Sequence, residues 1–386
     1  MRKLFVLSAL AALGACLLAT AGSAAAPSTG GCVAQAHPQG TGRFGGIISA
    51  QSIASSGSCA VHSAGDPANG TPPLLYQGGP VMASSTSAPT TVTPIFWNPG
   101  GHPMPGAYKD LLKRYLQDVA HDSGANTNVY STNTEYPGSN GTIAYNIVFG
   151  KAIDDRHAMP ASGCTVAPDD TANIYSDGTG YDYCLDDSQL TDEIQRNIDA
   201  GHLPQNDYSH IYVIFTSKHV ESCFLPGDTT DASNGQACTI NHYPTAAYCA
   251  YHSMMGSNWP VYGTIYANMP FPVIHSPVGY TCGSDAGHHT LQSPNKNIDG
   301  DTETSPTSHE ISEAITDPNV FNGWFDSSGY ENGDECAYVY GAMAGKPGQM
   351  YNQVINRHKY LTQEEFSNTD YALTGGGCVQ SESAVG

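Results

Sequence analysis

The residues best equipped for chemistry stand at His309-Glu310-Ile311-Ser312-Glu313. On a helix, positions i and i+4 lie one turn apart on the same face. His309 and Glu313 would thus offer a ring nitrogen and a carboxylate to one point, with Glu310 beside them. This is the spacing of the H-E-x-x-H zinc helix, in which the Glu after the first His acts on a metal-bound water. Here Glu313 replaces the second histidine. Imidazole and carboxylate both bind zinc at about 2.0 to 2.2 Å, so the exchange is chemically permitted. The extra negative charge weakens the Lewis acid and opens the site to harder cations such as manganese or calcium. The competing reading makes Glu310 and Glu313 solvated acids near a helix N-terminus, where the helix dipole favours negative charge.

A metal would need a further ligand. The candidates are Asp317, two turns beyond His309; Asp326, Glu331 and Asp334 in the following Gly-rich segment; and His252. Asp317 also fits as a turn former before Pro318, and the later acids as solvated groups or calcium ligands. Upstream, the stretch NKNIDGDTE (295–303) starts like a calcium loop, with Asn295, Asn297, Asp299 and Gly300 at the right offsets, but Pro306 occupies the place of the closing Glu. His288-His289 is a metal pair only if its Gly/Ser loop brings it inward. The chain has no G-x-S-x-G elbow and no phosphate-binding glycine pattern ahead of a helix.

The elements that must position these residues follow from periodicity. Ser305-Pro306 predicts a helix start, and Pro318 a stop near Asp317. Leu111, Leu112, Tyr115, Leu116 and Val119 predict an amphipathic helix over 107–121, and SQLTDEIQRNIDAG a second over 188–201. TTVTPIFWNP, TIAYNIVFG (142–150) and SHIYVIFTS (209–217) predict strands, with further β-like stretches at AAYCAYH and PVYGTIYANM. Strands alternating with helices imply an α/β (α+β) domain over 89–386, long enough for one large core.

Residues 1–25 have a basic start, an apolar run and a small-residue end, the layout of a secretory signal. Leu13 to Cys16 could be a lipoprotein box, but the apolar run continues past Cys16, which favours cleavage further on. Residues 26–88 are rich in Ser, Gly, Ala, Pro and Thr and are expected to form a loosely ordered leader or pro-segment. Beyond the signal, ten of the 11 cysteines remain, an even set that predicts disulfides in an exported chain; Cys164 with Cys184 is one reasonable near pair. Without Arg2 and Lys3, 12 basic residues face 35 acidic ones, a formal net charge of −23. So acidic a chain repels phosphate backbones and anionic lipid, which argues against nucleic-acid and membrane partners. No later stretch has the roughly 18 apolar residues of a transmembrane helix.

The order CAYH (249–252), YANMP, Tyr-Thr-Cys-Gly, PNKNIDGD, SHEISEAITDPNVFNGW, ENGDEC and a closing Cys378 resembles the EXORDIUM or phosphate-induced protein family. It is most similar to bacterial secreted relatives with an HExxEAxTDP signature. The likeness spans roughly residues 90 to 380 and is specific from Cys249 onward. It implies secretion to the extracellular space or cell wall, and its Cys-x-x-His element singles out His252 as a ligand. It also implies that the YNQVINRHKYLTQEEFSN segment forms an extended strand pair ahead of a disulfide-bonded terminus.

The expectation is a secreted zincin-like metallohydrolase with a disulfide-stapled mixed sheet and a late active-site helix, acting on peptide or protein substrates. His309 and Glu313 would bind a divalent metal, zinc first and calcium as the alternative. His252, Asp317 or Asp334 would complete the shell, and Glu310 would act as general base. The alternative is a non-catalytic extracellular or wall-associated EXORDIUM-like protein with a structural calcium or no metal. A two-carboxylate glycosidase would need Glu310 and Glu313 to face one cleft at about 5 to 9 Å.

Overall fold

The computed structural model describes residues 70–382, apart from 86, 167–170, 172–173, 176, 205–207, 225–237, 240–247, 256–262, 275–281, 284–289 and 321. The expected signal segment, Cys32, Cys59 and His288-His289 lie outside the described residues.

The centre is a mixed sheet of β1 (Thr90–Trp97), β2 (Ile147–Phe149), β3 (Ile153–Asp155), β4 (His210–Phe215), β5 (Tyr251–Met255) and β6 (Thr264–Met269). The spatial order is β5-β6-β4-β1-β2, with β3 also paired to β1. All pairs are parallel except β5 with β6. The 142–150 stretch, expected as one strand, is split: Gly141–Thr142 turns back on Pro137–Gly138, and only Ile147–Phe149 joins the sheet. Between them the Tyr145 hydroxyl donates to the Val119 carbonyl at 2.7 Å, which ties the break to a neighbouring helix. Pro94 sits in β1 where its neighbour changes from β2 to β3, a point at which a missing N–H disturbs the ladder least.

Side-chain alternation sorts the two faces. Ile211, Val213 and Phe215 of β4 join one cluster with Leu111, Leu112, Tyr115, Ile311 and Ile315. Tyr212 and Ile214 join the other with Leu190 and Ile194. The result is three layers. Helices α1 (Gly106–His121) and α3 (Ile298–Thr316) cover one face, and α2 (Asp187–Asp199) covers the other. A capping box between Asp186 and Gln189 starts α2, and Gly201 follows it with φ +71°, the left-handed turn that favours glycine.

Helix α3 begins earlier than the Ser305-Pro306 pair predicts. Asn297 is its N-cap, accepting from the Gly300 N–H at 3.3 Å, and Pro306 lies inside the helix. The Ser305 hydroxyl instead accepts from the Gln363 N–H at 2.9 Å. The partial calcium-loop pattern at 295–303 is instead helical from Ile298 onward. Asp301 there accepts from Ser293 Oγ at 2.6 Å and from Asn295 Nδ2 at 2.6 Å.

Ordered structure also begins before the expected boundary at 88. Leu74, Val81 and Met82 are core residues, and Leu75–Tyr76 pairs with Trp324–Phe325. The C-terminal part adds helix α4 (Asn332–Glu335), a hairpin of Gln353–Ile355 with His358–Tyr360, the strand Glu365–Phe366, helix α5 (Asn368–Thr374), and Cys378–Val379, which pairs with Glu365–Phe366. Disulfides join Cys164 to Cys184, Cys223 to Cys238, Cys249 to Cys282 and Cys336 to Cys378. Such pairing suits an oxidising compartment. Among the described residues no helix is long and apolar enough to cross a membrane.

The Cys336–Cys378 bridge closes a separation of 42 residues and clamps α4 to the terminal strand pair. The chain-entropy relation puts its contribution at about 4 kcal/mol. Replacing both cysteines by serine should lower unfolding stability by that order in urea titrations, with the chain still able to fold.

Candidate metal centre

Three segments distant in sequence meet on the α1/α3 side of the sheet. The first is α3. Its residues from Gly300 to Thr316 are all buried, although few are apolar. Its hydroxyls make this tolerable by bonding back onto the helix: Thr304 Oγ1 donates to the Asp301 carbonyl at 2.8 Å and Thr307 Oγ1 to that of Glu303 at 2.7 Å. Buried alongside them are His309, Glu310 and Glu313, each with 0 % exposure.

The second segment is the edge strand β5. Its Tyr251 points to the α2 face, where the hydroxyl donates to Asp187 Oδ1 at 2.7 Å. Alternation therefore turns His252 to the α3 face, opposite the small Ala267 of β6. The third is α4, with Glu331 as its N-cap and Gly333 and Asp334 within it. Gly333 is required here by contact: a Cβ would lie 2.6 Å from His309 Nδ1 and 2.8 Å from Cγ. The Asp334 N–H donates to Glu313 Oε1 at 3.0 Å.

The convergence gives two overlapping triads, His309/Glu313/Asp334 and His252/Glu310/Glu313; in each, one ligand atom per residue lies within 4.8 Å of the others. His309 Nε2 is 2.9 Å from Glu313 Oε1, 3.6 Å from Asp334 Oδ1 and 4.0 Å from Glu310 Oε1. His252 Nδ1 is 3.3 Å from Glu310 Oε2 and 3.5 Å from Glu313 Oε2, and its Nε2 is 3.8 Å from Glu331 Oε1. Asp317 stands outside both triads; its main-chain carbonyl accepts from His252 Nε2 at 3.2 Å. Asp326 is likewise a turn organiser, accepting from the Ser328 and Tyr330 N–H groups at 2.7 and 2.8 Å.

Electrostatics describe a centre short of positive charge. Burial, followed by the charge of Glu313, pushes the Asp334 carboxyl well above its ordinary range. Burial also raises Glu310, against the opposing pull of His252 and His309. Glu313 moves the other way: burial alone would raise it, but His309 and His252 together hold it at about 2. Burial opposes a charge on His309, yet Glu313, Glu310 and Asp334 raise its pKa well above the usual value. The lysine and arginine ion pairs of the described residues lie elsewhere, on Asp110, Asp154, Asp155, Asp177 and Glu193.

The donor set fits a divalent cation. Glu313 Oε2 is buried with no hydrogen-bond partner, while His309 Nε2 meets Glu313 Oε1 at 2.9 Å; a buried charge left uncompensated costs several kcal/mol. Imidazole with carboxylates suits zinc or manganese. Gln363 Nε2, which donates to the Gly333 carbonyl at 2.7 Å, stands 2.9 Å from His309 Nδ1 and braces the outer side of the ring.

Gln363 and the fully buried Glu365, whose pKa burial raises well above its usual value, also belong to the surroundings of this site. The only sequence signal for them is a Gln-Glu-Glu run set between Leu361 and Phe366. Comparison with protein-family models, with curated proteins and with solved structures finds no match to this chain.

Glu335, fully buried, is pushed up to about 10 by burial and then by Asp326 and Asp334. Acids whose folded pKa is raised keep protons that the unfolded chain gives up. Stability of the cation-free protein must therefore fall as pH rises from the ordinary carboxylate range near 4.5 toward 10. Melting in the presence of a chelator should occur several degrees lower at pH 8.5 than at pH 5.5. Added zinc or manganese should raise the midpoint more at the higher pH.

Proposed function

We propose that the protein is a secreted metal-dependent hydrolase of zincin-like design, acting on peptide bonds. The observation that carries this is the meeting of His309, Glu313 and Asp334 at one buried point with Glu310 on the adjoining turn. The peptide bond is preferred because the His-Glu spacing on α3 is that of the zincin helix. The likeness to EXORDIUM-type bacterial proteins supports an extracellular setting.

His309, Glu313 and Asp334 would hold the cation, which when bound polarises a carbonyl and acidifies a water. Glu310 is the proton acceptor. Geometry separates the two carboxylates of one helix into base and ligand: Glu313 Oε1 lies 2.9 Å from His309 Nε2, Glu310 Oε1 4.0 Å. His252, 3.3 Å from Glu310 Oε2, fixes the orientation of that carboxylate. Asp334, with 14 % side-chain exposure, is the ligand nearest to solvent and marks the side from which a substrate would enter.

One observation favours the second reading, an EXORDIUM-like protein with a structural cation. His252, His309, Glu310 and Glu313 are fully enclosed, and structural centres are closed where catalytic ones keep an open position. The two readings differ in the effect of Glu310→Gln. A hydrolase variant should retain its tightly bound cation and lose activity on a mixed peptide library by about 10²- to 10⁴-fold. His309→Ala should lose the cation, measured by elemental mass spectrometry. Hydrolysis unchanged in Glu310→Gln, or absent from wild type loaded with its cation, would leave only the structural role.

A further inference from the structure

The second triad is built for a cation in its own right. His252 Nε2 donates to the Asp317 carbonyl at 3.2 Å, so Nδ1 is the ring nitrogen left for a proton or a cation. It faces Glu310 Oε2 at 3.3 Å and Glu313 Oε2 at 3.5 Å. Three electron-rich atoms, all on residues with 0 % exposure, cannot remain this close unless a proton or a cation lies between them. Glu313 Oε2 has no hydrogen-bond partner of its own. A histidine whose outer ring N–H is held by a main-chain carbonyl is the arrangement that orients metal ligands.

Glu313 divides its two oxygens between the triads. Oε1 lies 2.9 Å from His309 Nε2, and Oε2 faces His252. A carboxylate so placed would serve two cations at once, one through each oxygen.

We propose that His252 Nδ1, Glu310 Oε2 and Glu313 Oε2 form a second divalent-cation site that shares Glu313 with the first and, when filled, withdraws Glu310 from proton transfer. This rests on the hydrolase reading above, in which the first site binds a cation and Glu310 is the base. The second ion binds more weakly, because it enters beside an existing double charge and shares that charge's ligand. Low cation concentration therefore activates and high concentration inhibits.

The test uses the purified, chelator-stripped protein titrated with Mn²⁺ alone, read by equilibrium dialysis with elemental analysis and by electron paramagnetic resonance. Wild type should take up two ions, the second at least about 10-fold more weakly, with an exchange-coupled spectrum at saturation. His252→Gln, whose amide can still donate to Asp317, should take up one ion and give an uncoupled spectrum. Peptide hydrolysis by wild type should rise through the first equivalent and fall through the second. One ion at saturation in wild type, or two in both proteins, would overturn the second site. Activity that keeps rising through the second equivalent would overturn its inhibitory role. If His252→Gln does not fold, the wild-type stoichiometry and spectrum decide alone. Failure of the hydrolase reading looks different: no Mn²⁺ is bound, or His309→Ala binds as wild type does.

Discussion

Everything around α3 answers to one constraint: ionisable groups have been placed where water does not reach. His309, Glu310 and Glu313 are enclosed together with His252, Glu331 and Glu365. Burying isolated charges carries a penalty of several kcal/mol each even after relaxation, comparable to the whole net stability of an ordinary domain. Such an arrangement persists only if the charges are neutralised by protons, by one another, or by a cation. The second of these is visible in the 2.9 to 3.5 Å contacts of His309 and His252 with Glu313 and Glu310.

The scaffold holds these groups with little slack. The sheet fixes His252 through strand alternation, with Tyr251 anchored to Asp187 on the opposite face. Gly333 lets α4 lie directly against the imidazole of His309. The Cys336–Cys378 bridge holds the far end of that helix, and Gln363 reaches across from the next segment to His309 and Gly333. The site is therefore supported by four parts of the chain, and none of them could assemble it alone.

The elements with apolar periodicity were legible in the sequence. α1, α2 and the strands at Thr90–Trp97 and His210–Phe215 lie where alternation and helical spacing put them, because burial of an apolar face set both the pattern and the fold. The start of α3 was not legible. Ser305-Pro306 has the chemistry of a helix start, but Asn297 captures that role and the helix tolerates a proline on its path. The placement of Glu365 and Gln363 was also hidden, since a Gln-Glu-Glu run normally means solvent and only tertiary contact turns it inward. The grouping of His309, Glu310 and Glu313 is legible from spacing alone. The part taken by Asp317, a carbonyl behind His252 rather than a side chain in either triad, needed the three-dimensional path of the chain.

The polar character of α3 also bears on how the molecule comes together. A helix lined with Ser, Thr, Asp and Glu contributes little to hydrophobic collapse, and its enclosure is worth little until the surroundings exist. The sheet and α1, joined by Phe215, Tyr108 and Leu112, have the apolar surface to condense first. On this view α3 is drawn into a cradle already largely formed, and the acid-rich centre is the last part of the protein to take shape.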